Sequence, residues 1–277
     1  MWHNVCTVND EGFSYDRDYY LSECDGCVQF NNSRGKVLGK RLKKMLGLAA
    51  PEPGMQLLDV GCGRGELVLH SALSKAFAWG IDEAAEAIAI SRETLNFWKS
   101  EYPWIDRHAH FQQADGRHLP FDNSFFDTAI LTDVVEHLAP EDLKQTLQEL
   151  RRVLKKGGRV VIHTSPNKYY IPVTGRLFAL VSRLLYGRPH VIPWRIRPLL
   201  PRGLQHDVHV NEQSRASLKR ILKKTGFRVE KTWFELNPHY IDALFPDQRG
   251  FRFVNALKAV LPLKHLFYAD LYCLARA

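Results

Sequence analysis

The chain has 277 residues, of which 45% are apolar and 25% are charged. This composition is that of a globular protein and excludes a disordered or fibrous chain, and no apolar run reaches the ~18–20 residues of a membrane-spanning helix. Five scattered cysteines and a polar start without the features of a secretion signal predict a protein of the reducing cytoplasm.

From residue 56 onward, short apolar runs alternate with amphipathic segments. The apolar runs predict strands at 56–60, 77–81, 110–114, 127–132, 159–164, 227–234 and 270–275. The amphipathic segments predict helices at 67–73, 84–99, 141–154 and 214–225, with Gly157-Gly158 and Gly226 as stop signals. This alternation predicts an α/β fold with a doubly wound, mostly parallel seven-stranded sheet.

Two parts of the chain lie outside this alternation. Residues 1–50 are predicted to form an amino-terminal helical arm, with a helix at 36–48, ahead of a proline-rich break. Residues 51–277 are predicted to form one domain, interrupted after the fifth strand by a helical lid insert at 166–212.

A glycine cluster follows the first predicted strand, in the sequence LLDVGCGRG at 57–65. Gly61, Gly63 and Gly65 allow a ligand to approach the backbone, and the N–H groups at the start of the next helix favour an anionic group. The spacing is G-x-G-x-G, and Glu66 stands where a dinucleotide-binding fingerprint has its last glycine. A carboxylate there disfavours a pyrophosphate and tolerates a ligand that carries one carboxylate and a positive centre.

Four acids close four successive predicted strands: Asp59, Asp82, Asp115 and Asp133. Ligands of doubly wound sheets bind at the carboxyl edge, where these side chains meet. Asp82 is placed to accept hydrogen bonds from two ribose hydroxyls, and Asp115 from an exocyclic adenine amine. Each acid alone is better explained as a cap or loop residue, but the set of four favours a nucleoside-binding edge.

The chain resembles the class I S-adenosylmethionine-dependent methyltransferases. The matching segments follow the order of that family: LLDVGCGRGEL at 57–67, GID at 80–82, QQADGRHLPF at 112–121, FDTAILTDVVEHL at 126–138, LRRVLKKGGRVVIHTSPN at 150–167 and HVNEQSRASLKRILKKTGF at 209–227. They most resemble the small-molecule branch, which includes quinone-biosynthesis and natural-product tailoring enzymes. The resemblance implies a Rossmann-like methyltransferase fold and S-adenosylmethionine as cofactor.

The resemblance also implies roles for residues at the sheet edge. The cofactor-binding residues it implies are Asp59, Gly61, Cys62, Gly63, Gly65, Asp82, Asp115, Gly116 and Asp133. Within this set the glycines border the methionine part, Asp82 holds the ribose, Asp115 meets the adenine amine, and Asp133 lies near the methionine amino group. One departure is Glu83, which stands where relatives carry an apolar residue that packs on the adenine.

Methyl transfer to oxygen requires removal of a proton, and a histidine of near-neutral pKa is the natural base. His137 is the first catalytic candidate because it follows the fourth strand by a few residues. His209 begins the segment that returns from the insert, and His163 ends the fifth strand. For each of the three a structural role is the alternative.

No metal is predicted, because no cluster of acids, asparagine and histidine has the spacing of a metal-dependent catechol methyltransferase. The Asp/Asn-Pro-Pro-aromatic motif of exocyclic-amine methylation is also absent, since Thr132-Asp133-Val134-Val135 stands there. A nucleic-acid partner is therefore disfavoured. Nothing in the sequence indicates the oligomeric state.

Residues 166–205 hold seven positive charges and no acid, so the rest of the chain, with its net charge of +8 overall, carries only +1. A helix is predicted at 176–186, and a second apolar-basic segment at 249–267. The segment 166–205 fits a lid over the acceptor, a peripheral contact with an anionic membrane, or a site for a phosphate-bearing substrate.

The sequence thus predicts methyl transfer from S-adenosylmethionine to a small-molecule or lipid-linked acceptor, with oxygen as the favoured atom. The alternatives are a carbon or nitrogen methyltransferase, and a catalytically silent S-adenosylmethionine-binding partner protein.

Overall fold

The computed structural model describes residues 15–170, 209–235 and 268–277, together with Arg183. Most of the predicted lid insert 166–212 and the predicted segment 249–267 lie outside the described residues. None of the described helices is both long enough and apolar enough to pass through a bilayer.

Seven strands form one sheet in the order β3-β2-β1-β4-β5-β7-β6. Their bounds are β1 Gln56–Val60, β2 Phe77–Asp82, β3 Ala109–Gln113, β4 Phe126–Thr132, β5 Leu154–Thr164, β6 Arg228–Glu235 and β7 Asp270–Arg276. β7 lies antiparallel between β5 and β6, and the other neighbours are parallel. The predicted doubly wound, mostly parallel seven-stranded sheet is confirmed.

The helices lie before and between the strands. They are α1 Cys27–Ser33, α2 Lys40–Ala49, α3 Glu66–Leu73, α4 Ala85–Lys99, α5 Pro140–Val153 and α6 Arg215–Lys224, with a π-helix at Tyr19–Glu23 and a 3-10 turn at Ile105–Arg107. Ser214 caps α6, because its hydroxyl accepts from the Ser217 N–H and the Ser217 hydroxyl accepts from the Ser214 N–H.

Two sequence predictions of helix bounds are wrong. The arm helix begins at Lys40 rather than at residue 36, because the backbone is still extended at its N-cap Gly39, with φ −60° and ψ 160°. Gly157-Gly158 does not end a helix, since α5 stops at Val153 and β5 runs through both glycines. The register of β5 against β4 shifts between Phe126 and Thr128, which accommodates the glycine pair as a bulge.

The sheet is buried on both faces, which is why its central strands are mostly apolar. Leu58 packs with Leu143 and Leu147 of α5 on one face, whereas the preceding Leu57 packs with Leu69 of α3 on the other. Successive side chains of a strand point to opposite faces. Each of these leucines is fully buried and contributes roughly 1.5–3 kcal/mol of transfer free energy.

The arm shares this core. Met45 and Ala49 of α2 are fully buried in the same apolar cluster as Leu57 and Leu69. The Arg159 guanidinium of β5 donates to the Leu48 carbonyl at 3.1 Å. α2 is therefore held against the sheet, and the arm residues that follow Tyr15 are brought to its carboxyl edge.

Candidate active site at the carboxyl edge

The glycine turn after β1 has backbone angles that favour glycine. Gly61 and Gly63 have φ angles of 71° and 50°, in the left-handed region. A Cβ on Gly61 would lie 2.4 Å from Val134 Cγ2, and a Cβ on Gly63 would lie 3.8 Å from Tyr20 Cε1. The turn is thus packed below by the loop after β4 and covered above by a tyrosine of the arm.

The backbone N–H groups of this turn are already used within the protein. Those of Gly61 and Cys62 donate to the Ile81 carbonyl at 2.8 and 2.9 Å. The Gly63 N–H donates to the Asp82 carboxylate at 3.0 Å. These three positions therefore orient Asp82 and the end of β2, and an anionic group would have to be held at the start of α3.

Asp82 lies where a ribose would be bound. One carboxylate oxygen accepts from the Gly63 N–H and the other from the Ala84 N–H, each at 3.0 Å. Burial raises the pKa of Asp82. The two backbone N–H groups lower this pKa, and the negative charge of Glu83 raises it. Each oxygen keeps a further lone pair, so the carboxylate can accept from two vicinal hydroxyls. Asp82 therefore fits the ribose of S-adenosylmethionine.

Asp115 is held differently. The Arg117 guanidinium pairs with its carboxylate at 2.8 Å and also reaches Asp142 at 3.2 Å. The hydrogen bond from Arg117 lowers the pKa of Asp115. Asp115 is partly exposed at the end of β3, which leaves it able to accept from an amine.

Three other predicted cofactor residues support the turn from beneath. Asp59 is 2% exposed, and burial raises its pKa. The Cys62 sulfur packs into the sheet, 2.9 Å from the position that a Cβ on Gly80 would take, and Gly116 packs against Thr146 of α5. Direct cofactor contact by Asp59, Cys62 and Gly116 stays a prediction.

At the end of β4 lies a partly buried network of charges around Asp133, whose side chain is 24% exposed. Its carboxylate pairs with the Arg41 guanidinium of α2 at 2.5 Å and with His163 Nδ1 at 2.6 Å. Burial would raise the pKa of Asp133, but Arg41 and His163 hold it well below its usual range. Asp133 also has a left-handed φ of 54°, a strain of about 1–3 kcal/mol that neighbouring contacts must offset.

His163 lies inside this network and not in the crevice. Its side chain is fully buried, and its Nε2 lies 3.6 Å from Asp270 of β7. Burial alone would lower the pKa of His163, but the Asp133 carboxylate and Asp270 raise it to about 9. A buried imidazolium between two carboxylates favours a positioning role for His163 over the predicted role as a base.

His137 and His209 do lie together. Their ring centroids are 4.8 Å apart, and the Tyr15 hydroxyl lies 3.1 Å from His137 Nδ1. Burial, and then His137, lower the pKa of His209 to about 4, so its imidazole is neutral. Beside them Glu136 is 1% exposed, and burial together with the charge of Asp133 raises its pKa to about 8.

The arm closes over this region through its tyrosines. Tyr15 and Tyr20 have ring centroids 6.5 Å apart, so the ring that covers Gly63 contacts the ring whose hydroxyl reaches His137. The buried Arg64 anchors this part of the arm by donating to the carbonyls of Tyr20 and Asp25 at 2.9 and 2.8 Å. The glycine turn and His137 are thus joined by a continuous run of contacts.

The structure also explains Glu66. Its carboxylate is buried and accepts from Arg64 Nε at 3.0 Å. Burial raises the pKa of Glu66, and Arg64 opposes that shift. The Arg64 cation therefore weakens the predicted repulsion between Glu66 and a pyrophosphate.

Three site residues were not predicted from the sequence. Arg41 lies in a lysine-rich helix, where nothing distinguishes it from its exposed neighbours. Glu136 is adjacent to His137, and an acid next to a candidate base is a sequence signal that could have identified it. Tyr15 lies in the arm ahead of its predicted helix, in a stretch without a motif.

Comparisons with known proteins agree with this fold. Residues 58–162 match a family described as a methyltransferase domain. The structure is similar to that of the complex of the Haloferax volcanii Trm112 methyltransferase activator and a methyltransferase, with a TM-score of 0.61 and 16% identity over 98% of this chain and 99% of the other. The sequence match to a methyltransferase domain covers 105 of the 277 residues, and the structural similarity shows the fold.

Curated proteins that are similar in sequence to this chain include O-methyltransferases. It is 34% identical over 131 residues to O-methyltransferase cnsE of Penicillium expansum, which is 46% of this chain and 44% of that protein. It is 31% identical over 183 residues to the mitochondrial ubiquinone biosynthesis O-methyltransferase of Rattus norvegicus, which is 65% of this chain and 46% of that one. The chain thus spans less than half the length of both.

A second solved structure shows that this fold carries other chemistry. The [4+2]-cyclase SpnF has a TM-score of 0.54 and 16% identity, over 85% of this chain and 78% of the other. The fold alone therefore does not establish methyl transfer, and the activity has to be argued from the site.

Proposed function

We propose that the protein transfers the methyl group of S-adenosylmethionine to an oxygen of a small-molecule or lipid-linked acceptor. The observation that carries this proposal is the continuous contact from Gly63 through Tyr20 and Tyr15 to His137. This run of contacts supports a donor and an acceptor that lie side by side at the carboxyl edge.

On the donor side, Asp82 binds the ribose through the lone pairs that the backbone N–H groups leave free. Asp115 accepts from the adenine amine, and the glycine turn borders the methionine part. When bound, S-adenosylmethionine supplies a methyl group on a positively charged sulfur. The carboxylates around the crevice favour that charge.

On the acceptor side, His137 accepts the proton of the acceptor hydroxyl. In this role His137 is the tautomer whose Nδ1–H donates to the Tyr15 oxygen, so that the basic lone pair is on Nε2. Burial raises the pKa of Tyr15 far above neutrality, so its hydroxyl stays protonated and acts as an orienting partner. His209 limits the positions that the acceptor can take beside His137.

The relatives support oxygen as the acceptor atom. Both compared relatives bear the name O-methyltransferase, and one acts in ubiquinone biosynthesis. A carbon or nitrogen acceptor would not require His137 as a base, and a silent cofactor-binding protein would give no product. These alternatives are outcomes of the same experiment.

For the acceptor we propose an apolar or phosphate-bearing molecule, and for the protein a cytoplasmic location with a peripheral membrane contact. The support is the sequence of residues 166–205, in which seven positive charges stand among large apolar side chains without an acid. Binding to anionic vesicles that falls with salt, and in a triple Arg176→Gln, Arg183→Gln and Arg188→Gln variant, would support the membrane contact. Indifference to vesicles would remove it.

The experiment that tests the reaction is an acceptor screen with S-adenosylmethionine carrying a labelled methyl group. The screen includes dihydroxybenzenes, hydroquinones with and without apolar tails, and matched amines, with mass detection of products. Label on an oxygen supports the proposal, and label only on carbon or nitrogen contradicts the choice of atom. Donor binding without a product from any acceptor class contradicts turnover.

A further inference from the structure

Glu136, His137 and His209 form a compact group of potential metal ligands. One ligand atom from each residue can be chosen so that all three lie within 4.8 Å of one another. Glu136 and His137 come from the loop after β4, and His209 from the segment before α6. The Asn211 N–H donates to the Glu136 carbonyl at 3.0 Å and joins these two segments.

Each of two ligands is oriented by a partner of its own. The Glu136 carboxylate accepts from the Thr164 hydroxyl at 2.9 Å and from the Ser165 N–H at 3.2 Å. The Tyr15 hydroxyl lies 3.1 Å from His137 Nδ1 and orients the ring, so coordination would use Nε2. Metal-binding histidines and carboxylates are oriented by outer hydrogen bonds of this kind.

We propose that Glu136, His137 and His209 bind one divalent transition-metal ion at the acceptor side of the crevice. Two imidazoles and one carboxylate suit ions such as Zn²⁺, Co²⁺ or Fe²⁺ better than Mg²⁺ or Ca²⁺, which prefer oxygen ligands. Ligand atoms around such an ion, with bonds of about 2.0–2.2 Å, lie about 3.3–3.6 Å apart. Binding therefore requires a contraction of about 1 Å, within the reach of side-chain rotation.

The role of the ion rests on the proposed function. Three protein ligands leave a coordination position open, and an acceptor hydroxyl that binds there releases its proton more easily. That proton passes to solvent, the oxygen–methyl bond forms, the sulfur–methyl bond breaks, and the donor leaves as a neutral thioether. His137 is then a ligand, and the same nitrogen cannot also accept the proton, so the test of metal binding decides between the two roles.

The test is a titration of the chelator-treated full chain with CoCl₂, followed by visible absorption and calorimetry. We expect one Co²⁺ per chain, with ligand-field bands that Zn²⁺ abolishes by competition. His209→Ala and Glu136→Gln should weaken binding by more than the ~10–100-fold that loss of an outer partner costs, and Tyr15→Phe by about tenfold. His118→Ala, whose side chain is 80% exposed, is the matched control and should bind Co²⁺ as the wild type does.

Thermal melting and binding of S-adenosylhomocysteine show whether each variant is folded, and His209→Ala keeps the test valid if the buried Glu136→Gln does not fold. Absence of stoichiometric Co²⁺ binding, or equal binding by wild type and His209→Ala, would overturn the proposed site. Methyl transfer that persists in chelator without Co²⁺ binding supports the proposed function and contradicts the metal. Co²⁺ binding without any methyl transfer supports the metal site and contradicts the function.

Discussion

The two sides of the crevice hold their carboxylates in opposite ways. On the side of β1 and β2, Asp82 is fixed by two backbone N–H groups, which are neutral donors. On the side of β4 and β5, Asp133 is enclosed with the cations Arg41 and His163. The first arrangement leaves a charged acceptor available to a ligand, whereas the second uses its acceptor inside the protein.

This difference separates binding from positioning. A carboxylate held by neutral donors retains its charge and spare lone pairs, so it can bind hydroxyls of a ligand. A partly buried carboxylate paired with two cations contributes little to a ligand, but removal of any member leaves an uncompensated charge. We therefore expect changes at Asp82 to alter affinity and changes at Asp133 to alter stability.

The largest effect is expected at His137, which lies on the Asp133 side but faces the crevice. His137→Ala should lower turnover by ~10²–10⁴-fold, because the proton of the acceptor is no longer removed. Affinity for the cofactor should stay near that of the wild type, since the donor residues lie on the other side. Steady-state kinetics and calorimetry measure the two quantities, and the exposed His118→Ala is the control. Parallel losses of turnover and cofactor affinity would show that His137 supports the architecture instead.

Next in size is the cost of breaking the partly buried network. Asp133→Asn should lower the free energy of unfolding by about 3–5 kcal/mol, because Arg41 and His163 lose a shared anion. Asp25→Asn is the matched control, since Asp25 pairs with the same Arg41 at 2.9 Å from a 43% exposed position. It should cost no more than about 1 kcal/mol. Urea unfolding compares the two, and equal losses would contradict the distinction.

The same network predicts how stability depends on pH. His163 has a pKa of about 9 in the folded chain against 6.5 as the ordinary value. Its contribution is therefore complete below pH 6.5 and lost as the pH rises through 9, by on the order of 3 kcal/mol. Unfolding at several pH values should show a steeper fall for the wild type than for His163→Asn.

Glu136 also contributes to the dependence of stability on pH, so its contribution has to be separated from that of His163. Its carboxyl has a pKa of about 8 in the folded chain, so loss of its proton also lowers stability as the pH rises. Glu136→Gln removes that part. The comparison is therefore made between Glu136→Gln alone and Glu136→Gln combined with His163→Asn. If the two lose stability with pH at the same slope, His163 is not charged in the folded protein.

A smaller effect is expected on the donor side. Asp82→Ala removes hydrogen bonds to two ribose hydroxyls, at ~0.5–1.5 kcal/mol each and more for a charged acceptor. The dissociation constant of S-adenosylhomocysteine should rise about tenfold or more. Glu86→Gln changes an exposed acid in the first turn of α4 and is the control. An unchanged dissociation constant in Asp82→Ala would mean that Asp82 serves only to fix the glycine turn.

The donor side was largely predictable from the sequence, because its chemistry follows the chain. Gly61, Gly63 and Asp82 stand at strand ends, and parallel strands bring their carboxyl ends to one edge. The alternation of apolar runs predicted all seven strands within a few residues. Among the strands, the error was to interpret the glycine pair within β5 as a helix stop. An irregular strand and a helix end both favour glycine.

The other side depends on contacts between distant segments, which no local pattern records. Arg41 meets Asp133 across 92 positions only because α2 packs on the sheet. His163 ends a strand like the other candidates, but its side chain points into the network between β4 and β7. The sequence could predict that histidines lie near this edge, but not which of them face the crevice.

Direct calorimetric titration tests whether this crevice binds a methyl donor. The same preparation is titrated with S-adenosylmethionine, with S-adenosylhomocysteine and with NAD. We expect the first two to bind at one site per chain and NAD not to bind, since the turn has the G-x-G-x-G spacing and its N–H groups donate within the protein. Tight binding of NAD without binding of S-adenosylmethionine would contradict this expectation.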